Sequence, residues 1–179
     1  FFKSIGIKKG SVVMMILGRR WEYWICAVAL HKLGAILIPA TIQLTKKDII
    51  YRANAAQIHT IICQNNDFVL TQAELALPES PSVKNHIIVN GKREGWLPFN
   101  ELFEDFSDTL ERPEEDFVNS DPLLIYFTSG TTSMPKMVLH DQTYPLGHIV
   151  TAKYWQQVQE NKLHMSVSDS GWAKFGWGK

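Results

Sequence analysis

The sequence predicts an α/β fold: a mainly parallel sheet flanked by helices. Three observations carry this. Short apolar runs such as Val12-Val13-Met14-Met15-Ile16-Leu17 occur without polar alternation, the pattern of strands buried on both faces. Between them lie stretches whose apolar residues recur at helical spacing and that open or close on cap residues. The connections are short, so strand and helix alternate as a parallel sheet requires. Such sheets bind ligands beyond the carboxyl ends of their strands.

The elements follow in order. The first run ends at Gly18. Over residues 20–33, Trp21, Trp24, Ile25, Val28 and Leu30 recur with helical period, and Gly34 stands where a C-terminal cap glycine belongs. Ala35-Ile36-Leu37-Ile38 reads as the second strand, stopped by Pro39. Thr45 followed by Asp48 has the form of a capping box and opens a helix to about Ala56. His59-Thr60-Ile61-Ile62-Cys63 and His86-Ile87-Ile88-Val89 read as further strands, separated by a short helix over residues 68–77 that Pro78 ends. Residues 91–121 are rich in prolines and acids and hold one helical piece near residues 99–106. Leu123-Leu124-Ile125 reads as a buried strand, residues 143–159 as a helix with Pro145 in its first turn, and residues 163–167 as a last strand delivering Ser168-Asp169-Ser170-Gly171-Trp172 at its carboxyl end.

Composition excludes several classes. Hydrophobic residues make up 45% and charged residues 20% of the 179, ordinary globular material rather than a disordered chain. Eighteen basic residues balance eighteen acidic ones, which argues against a nucleic-acid or membrane-surface partner. No apolar run approaches the roughly 20 residues of a membrane span. Cys26 and Cys63 have no paired spacing and no base nearby in sequence, so both read as small core residues in a reducing compartment, a disulfide between them being allowed but unforced. The acidic patch Glu111, Glu114, Glu115 and Asp116 reads as a solvated loop, and no protein metal site is expected there. Both ends read as interior to a longer chain: residue 1 is Phe, and Gly178-Lys179 follow no closing element.

The stretch with the densest chemistry is Thr128-Ser129-Gly130-Thr131-Thr132-Ser133-Met134-Pro135-Lys136. Its hydroxyls, glycine and lysine can offer donors and one positive charge to a polyanion. It is not a Walker phosphate loop. Four residues separate Gly130 from Pro135, which stands where the second glycine belongs, and Met137 stands where Ser or Thr would hold magnesium. No GxGxxG occurs either.

The order of these nine residues resembles the signature TSG[ST]TGxPK of the adenylate-forming, or AMP-binding, superfamily, with eight of nine positions in agreement. The similarity extends to Arg20-Trp21-Glu22-Tyr23-Trp24, Leu33-Gly34-Ala35, Ile38-Pro39-Ala40-Thr41, Asp48-Ile49-Ile50-Tyr51-Arg52 and Ser168-Asp169-Ser170-Gly171-Trp172-Ala173-Lys174, which look like the acetyl- and medium-chain acyl-CoA synthetase branch. The resemblance implies that residues 1–179 form part of the large N-terminal domain of such a fold, without its small C-terminal domain. It implies a ligase of fatty-acid metabolism whose substrates are a small carboxylic acid, ATP and coenzyme A. The carboxylate and ATP give an acyl-adenylate and pyrophosphate, and the coenzyme A sulfur then displaces AMP. Thr128, Ser129, Gly130, Thr131, Thr132, Ser133, Met134, Pro135 and Lys136 would hold the β- and γ-phosphates, with Mg²⁺ sharing the charge. Trp172 would border the acyl pocket, Gln43 would lie on the coenzyme A side, and His140 would orient the loop backbone or cap the turn.

One position departs from the pattern. Ser133 stands where the family has Gly, and if that position requires a positive φ the serine costs about 1 kcal/mol or more. The nucleotide-base and ribose motifs, the hinge and the adenylation lysine of the family are not among these residues. The isolated chain is therefore expected to be inactive, its partner being the remainder of a longer polypeptide. Two alternatives stand beside this: a degenerate, non-catalytic nucleotide-binding piece, or an adenylating ligase with another acceptor. The expected compartment is the cytoplasm, or the mitochondrial matrix where a transit peptide precedes Phe1.

Overall fold

The computed structural model describes residues 1–107, 109–110, 117–128 and 134–177, with Trp177 described by its backbone alone. Seven strands form one sheet: β1 (Val12–Ile16), β2 (Ile36–Ala40), β3 (Thr60–Gln64), β4 (Asn85–Val89), β5 (Leu97–Pro98), β6 (Pro122–Thr128) and β7 (Lys136–Asp141). Their order is β5-β4-β3-β1-β2-β6-β7. All neighbours are parallel except β6 and β7, which pair antiparallel as a hairpin.

The central strands are buried on both faces, as the unalternating apolar runs require. Val13, Met15, Leu37, Ile62, Ile87, Leu124 and Tyr126 face one side, packed with α1 (Trp21–Lys32), α4 (Phe99–Leu102) and Phe175 of α6 (Ala173–Trp177). Met14, Ile16, Ile38, Ile61, Cys63 and Ile88 face the other, under α2 (Lys46–Ala56) and α3 (Asp67–Ala76). The alternation along each strand is the period of two that a pleated strand imposes.

The caps explain where the helices begin and end. At the close of α1, Gly34 takes φ +70°; its N–H donates to the His31 carbonyl at 3.0 Å and the Ala35 N–H to that of Leu30 at 3.0 Å, the two bonds of a Schellman motif. At the start of α2 the Asp48 carboxylate accepts from the Thr45 N–H at 3.0 Å and hydroxyl at 2.7 Å. Asn66, unremarked in the sequence, caps α3 by accepting from the Val69 N–H at 3.2 Å.

Four expectations change. β2 runs through Pro39 to Ala40 rather than stopping before the proline; its pairing with β6 is confined to Leu37 with Leu124, so a missing N–H beyond that point disturbs little of the ladder. β5 and β7 are strands that the sequence pattern does not predict. The helix over residues 143–159 ends earlier, as α5 (Tyr144–Val150) and a π-helical turn over Thr151–Trp155, with Gln157 then at φ +53°. Residues 163–167 form no strand. Leu163, Met165 and Val167 alternate as a strand would, yet all three are exposed, and alternation without a partner ladder does not hold an extended segment.

Candidate functional site

β1, β2 and β6 are adjacent and parallel, so the segments that leave their carboxyl ends meet on one edge of the sheet. The signature leaves β6 there. Thr128 is the last residue of β6 and Lys136 the first of β7, and the two are paired across the hairpin. Ser129, Gly130, Thr131, Thr132 and Ser133 lie outside the described residues, as do Glu111, Glu114, Glu115 and Asp116. Thr128, Met134 and Lys136 are exposed. Among the described residues no carboxylate pairs with the Lys136 ammonium. Strand parity sets Lys136 on the same face of β7 as His140.

Helix α2 reaches both ends of this segment. The Tyr51 hydroxyl donates to the Pro135 carbonyl at 2.7 Å, and the Tyr51 ring meets Phe127 edge-on at 6.1 Å. The Arg52 guanidinium lies 5.1 Å from the centre of the same Phe127 ring. Arg52 is in turn held from one turn back, donating to the Asp48 carbonyl at 3.2 Å.

A second group of expected residues assembles at the end of β2. The Thr41 hydroxyl donates to Asp169 Oδ2 at 3.1 Å and accepts from the Gln43 N–H at 3.3 Å. Asp169 Oδ1 accepts from the Gly171 N–H at 2.8 Å, and the Trp172 N–H donates to the Asp169 carbonyl at 3.1 Å. Gly171 lies against the backbone of β2: a Cβ on it would stand 2.3 Å from the Thr41 nitrogen. Phe175 anchors the segment behind, stacked on Trp24 at 5.4 Å and edge-on to Tyr23 at 5.0 Å. Gln43 and Trp172 are thus tied to one residue, Thr41, and both are exposed, Trp172 by 68%.

His140 sits elsewhere. It pairs with Leu124, four residues or about 13 Å along the strand from Lys136. Its ring lies 4.0 Å from that of Tyr144 and 5.8 Å from that of Tyr126. Burial and then the neighbouring His148 lower its pKa, so it favours the neutral form. Its described neighbours are aromatic, and the loop residues it was expected to orient or cap lie outside the described residues. Cys26 and Cys63 are fully buried and burial pushes both thiols up, which suits core packing and not nucleophilic attack.

Sequence reading missed Tyr51, Arg52 and Thr41 as site residues, although each lies in a stretch quoted for the resemblance. Tyr51 and Arg52 stand three and four residues after the cap acid Asp48, on its face of the helix, but nothing local says that this face meets a segment 84 residues away. Two hollows lie apart from the signature: one of about 410 Å³ beside Arg20, Trp24, His164 and Phe175, and an apolar groove of about 760 Å³ along Ile25, Val28, Phe103 and Phe106.

With that geometry in place, the likeness to known proteins is informative. The family described as AMP-binding enzyme matches residues 1–174. The chain is 36% identical over 176 residues to the acyl-coenzyme A synthetase ACSM5, mitochondrial, of Homo sapiens, covering 97% of this chain and 30% of that protein. It is 35% identical over 174 residues to ACSM4, mitochondrial, of Mus musculus, covering 96% and 29%. Among solved structures, the acetoacetyl-CoA synthetase from Streptomyces lividans superposes with a TM-score of 0.83 at 15% identity, over 98% of this chain and 29% of that one. The Brucella canis acyl-CoA synthetase gives 0.82 at 20%, over 98% and 31%. These two establish a shared fold. The chain spans about 30% of the length of the curated relatives it matches.

Proposed function

The chain belongs to the AMP-binding enzyme family, and on that premise we propose that the whole protein containing it is an ATP-dependent, AMP-forming acyl-CoA synthetase. A carboxylate oxygen attacks the α-phosphorus of ATP, the bond to the bridging oxygen breaks, and pyrophosphate leaves. The coenzyme A thiol then attacks the acyl carbon, loses its proton, and expels AMP to give the thioester. The first step brings two anions together, so its barrier is lowered chiefly by neutralising and orienting phosphate oxygens.

The single observation that carries this reading is the pairing of Thr128 with Lys136 across the β6–β7 hairpin, at the carboxyl edge of the parallel strands. It sets a hydroxyl and an ammonium at the two ends of the nine-residue signature. In this reading residues 128–136, Ser129 to Ser133 included, receive the β- and γ-phosphates. Lys136 supplies the charge. Mg²⁺ on the nucleotide would supply further charge neutralisation. Trp172 borders the acyl group and Gln43 lies toward coenzyme A, their common tie to Thr41 supporting a pocket in which thiol and acyl carbon approach.

We further propose that residues 1–179 by themselves complete neither half-reaction, as the first part of a larger N-terminal domain. The names of the relatives favour a mitochondrial compartment over the cytoplasm. No helix among the described residues is long and apolar enough to cross a membrane.

The test is carboxylate-dependent exchange of labelled pyrophosphate into ATP by the full-length gene product. Exchange with a short- or medium-chain acid is expected, followed by thioester formation when coenzyme A is added. No exchange with any acid overturns the proposal.

A further inference from the structure

We propose that Tyr51 is a positioning residue for the phosphate segment, acting through the backbone of Pro135 to fix where Lys136 begins. The proposal rests on the reading of residues 128–136 given above.

One helix grips both ends of that segment. At the entry, Phe127 meets the Tyr51 ring at 6.1 Å and the Arg52 guanidinium at 5.1 Å. At the exit, the Tyr51 hydroxyl donates to the Pro135 carbonyl at 2.7 Å. Pro135 has a fixed φ and no N–H of its own, so its carbonyl is the one backbone hydrogen-bonding group that the residue itself offers. The next residue is Lys136, whose pairing with Thr128 starts the hairpin.

The hydroxyl is not needed to hold α2 in place. That helix is seated by Ile49 and Ala53, both essentially fully buried, and is started by the Thr45–Asp48 capping box. Tyr51 itself is half-buried, and Pro135 is its hydroxyl's hydrogen-bond partner among the described residues. Asp48 extends the arrangement, since the residue that starts α2 also holds Arg52 toward Phe127. A helix on one face of the sheet thereby anchors the backbone at Pro135, where the segment meets β7.

Tyr51→Phe removes the hydroxyl and keeps the ring on Phe127. In the full-length protein it is expected to raise KM for ATP by about five- to tenfold, what one lost hydrogen bond is worth. KM for the carboxylate and for coenzyme A should stay at the wild-type value, and the melting temperature should barely move. Tyr51→Leu, which also removes the ring, should raise KM for ATP further. A Tyr51→Phe enzyme with unchanged KM for ATP overturns the proposal, as does an equal rise in all three KM values with a lowered melting temperature. If the wild-type protein shows no pyrophosphate exchange, the functional reading falls and this inference with it. If it exchanges normally and the variants match it, this inference falls alone.

Discussion

At the scale of single residues, the site depends on close approach as much as on charge. Gly171 carries no side chain because none fits: a Cβ there would lie 2.3 Å from the Thr41 nitrogen and 2.8 Å from the Ala40 carbonyl carbon. Both are backbone atoms of a central strand and the residue after it, and cannot swing aside. Gly171→Ala should therefore destabilise the protein by about 1–3 kcal/mol, read by urea denaturation, and should weaken carboxylate binding because the displaced segment bears Trp172. Gly147 is the control. It lies in α5, where a Cβ would meet nothing within 4 Å, so Gly147→Ala should be neutral or stabilising by up to about 1 kcal/mol. At this scale the sequence was only half legible. The signature itself could be read from residue order, since its hydroxyls, Pro135 and Lys136 are contiguous. The residues that position it could not, because Tyr51 with Pro135 and Thr41 with Asp169 are pairs 84 and 128 residues apart, and no local pattern encodes such a meeting.

At the scale of elements, legibility followed burial. β1, β3, β4 and β6 sit between two helical layers, and their apolar runs announce them. β7 is an outer strand whose Met137, Val138 and Leu139 remain exposed; its sequence has neither clean alternation nor a buried run. β5 has two residues, fewer than any periodicity needs. Helix α1 shows how one buried charge ties elements together. Glu22, 1% exposed, accepts from the Arg20 guanidinium at 3.1 and 3.2 Å and from the Asn100 amide at 3.2 Å. Asn100 in turn accepts from the Asn90 N–H at 2.6 Å, so the start of α1 is fastened to α4 and to the end of β4. Burial pushes the Glu22 carboxyl up, but the hydrogen bonds from Arg20, from its own backbone and from Asn100 outweigh it and leave its pKa below the ordinary carboxylate value. A carboxyl with a depressed folded-state pKa stabilises the fold fully above its unfolded value and loses that contribution as pH falls through the folded value. Glu22→Gln should cost about 1–3 kcal/mol at neutral pH and make the acid limb of the stability curve shallower. Denaturation midpoints measured between pH 7 and pH 3 check both; an unchanged acid limb would show that Glu22 does not contribute to it.

At the scale of the whole molecule, the two ends of the sheet order differ in kind. Around β1 and β3 the core is closed on both faces. Beyond β6 the described chain offers an outer antiparallel strand and, after it, a run of apolar side chains in water. Leu146, Ile149, Tyr154, Trp155, Leu163 and Met165 are all more than half exposed, and Met137 and Leu139 of β7 are exposed as well. Isolated exposed apolar residues are ordinary, but so many along one strip of sequence suit a surface that another piece of protein covers. The relatives are about three times as long as this chain, which is room for such a piece. Nothing in β7 opposes association beyond Lys136 at one end and Asp141 at the other, weak protection for an edge strand. A polypeptide of these 179 residues should therefore self-associate as its concentration rises, detected as mass above 20.4 kDa by light scattering on a sizing column. Replacing Trp155, Leu163 and Met165 together by polar residues should restore the monomer while leaving the far-UV circular dichroism of the sheet unchanged, because none of the three belongs to either core cluster. A wild-type segment that stays monomeric at high concentration would mean that this strip is not an interface, and that the fold closes itself without the length its relatives have.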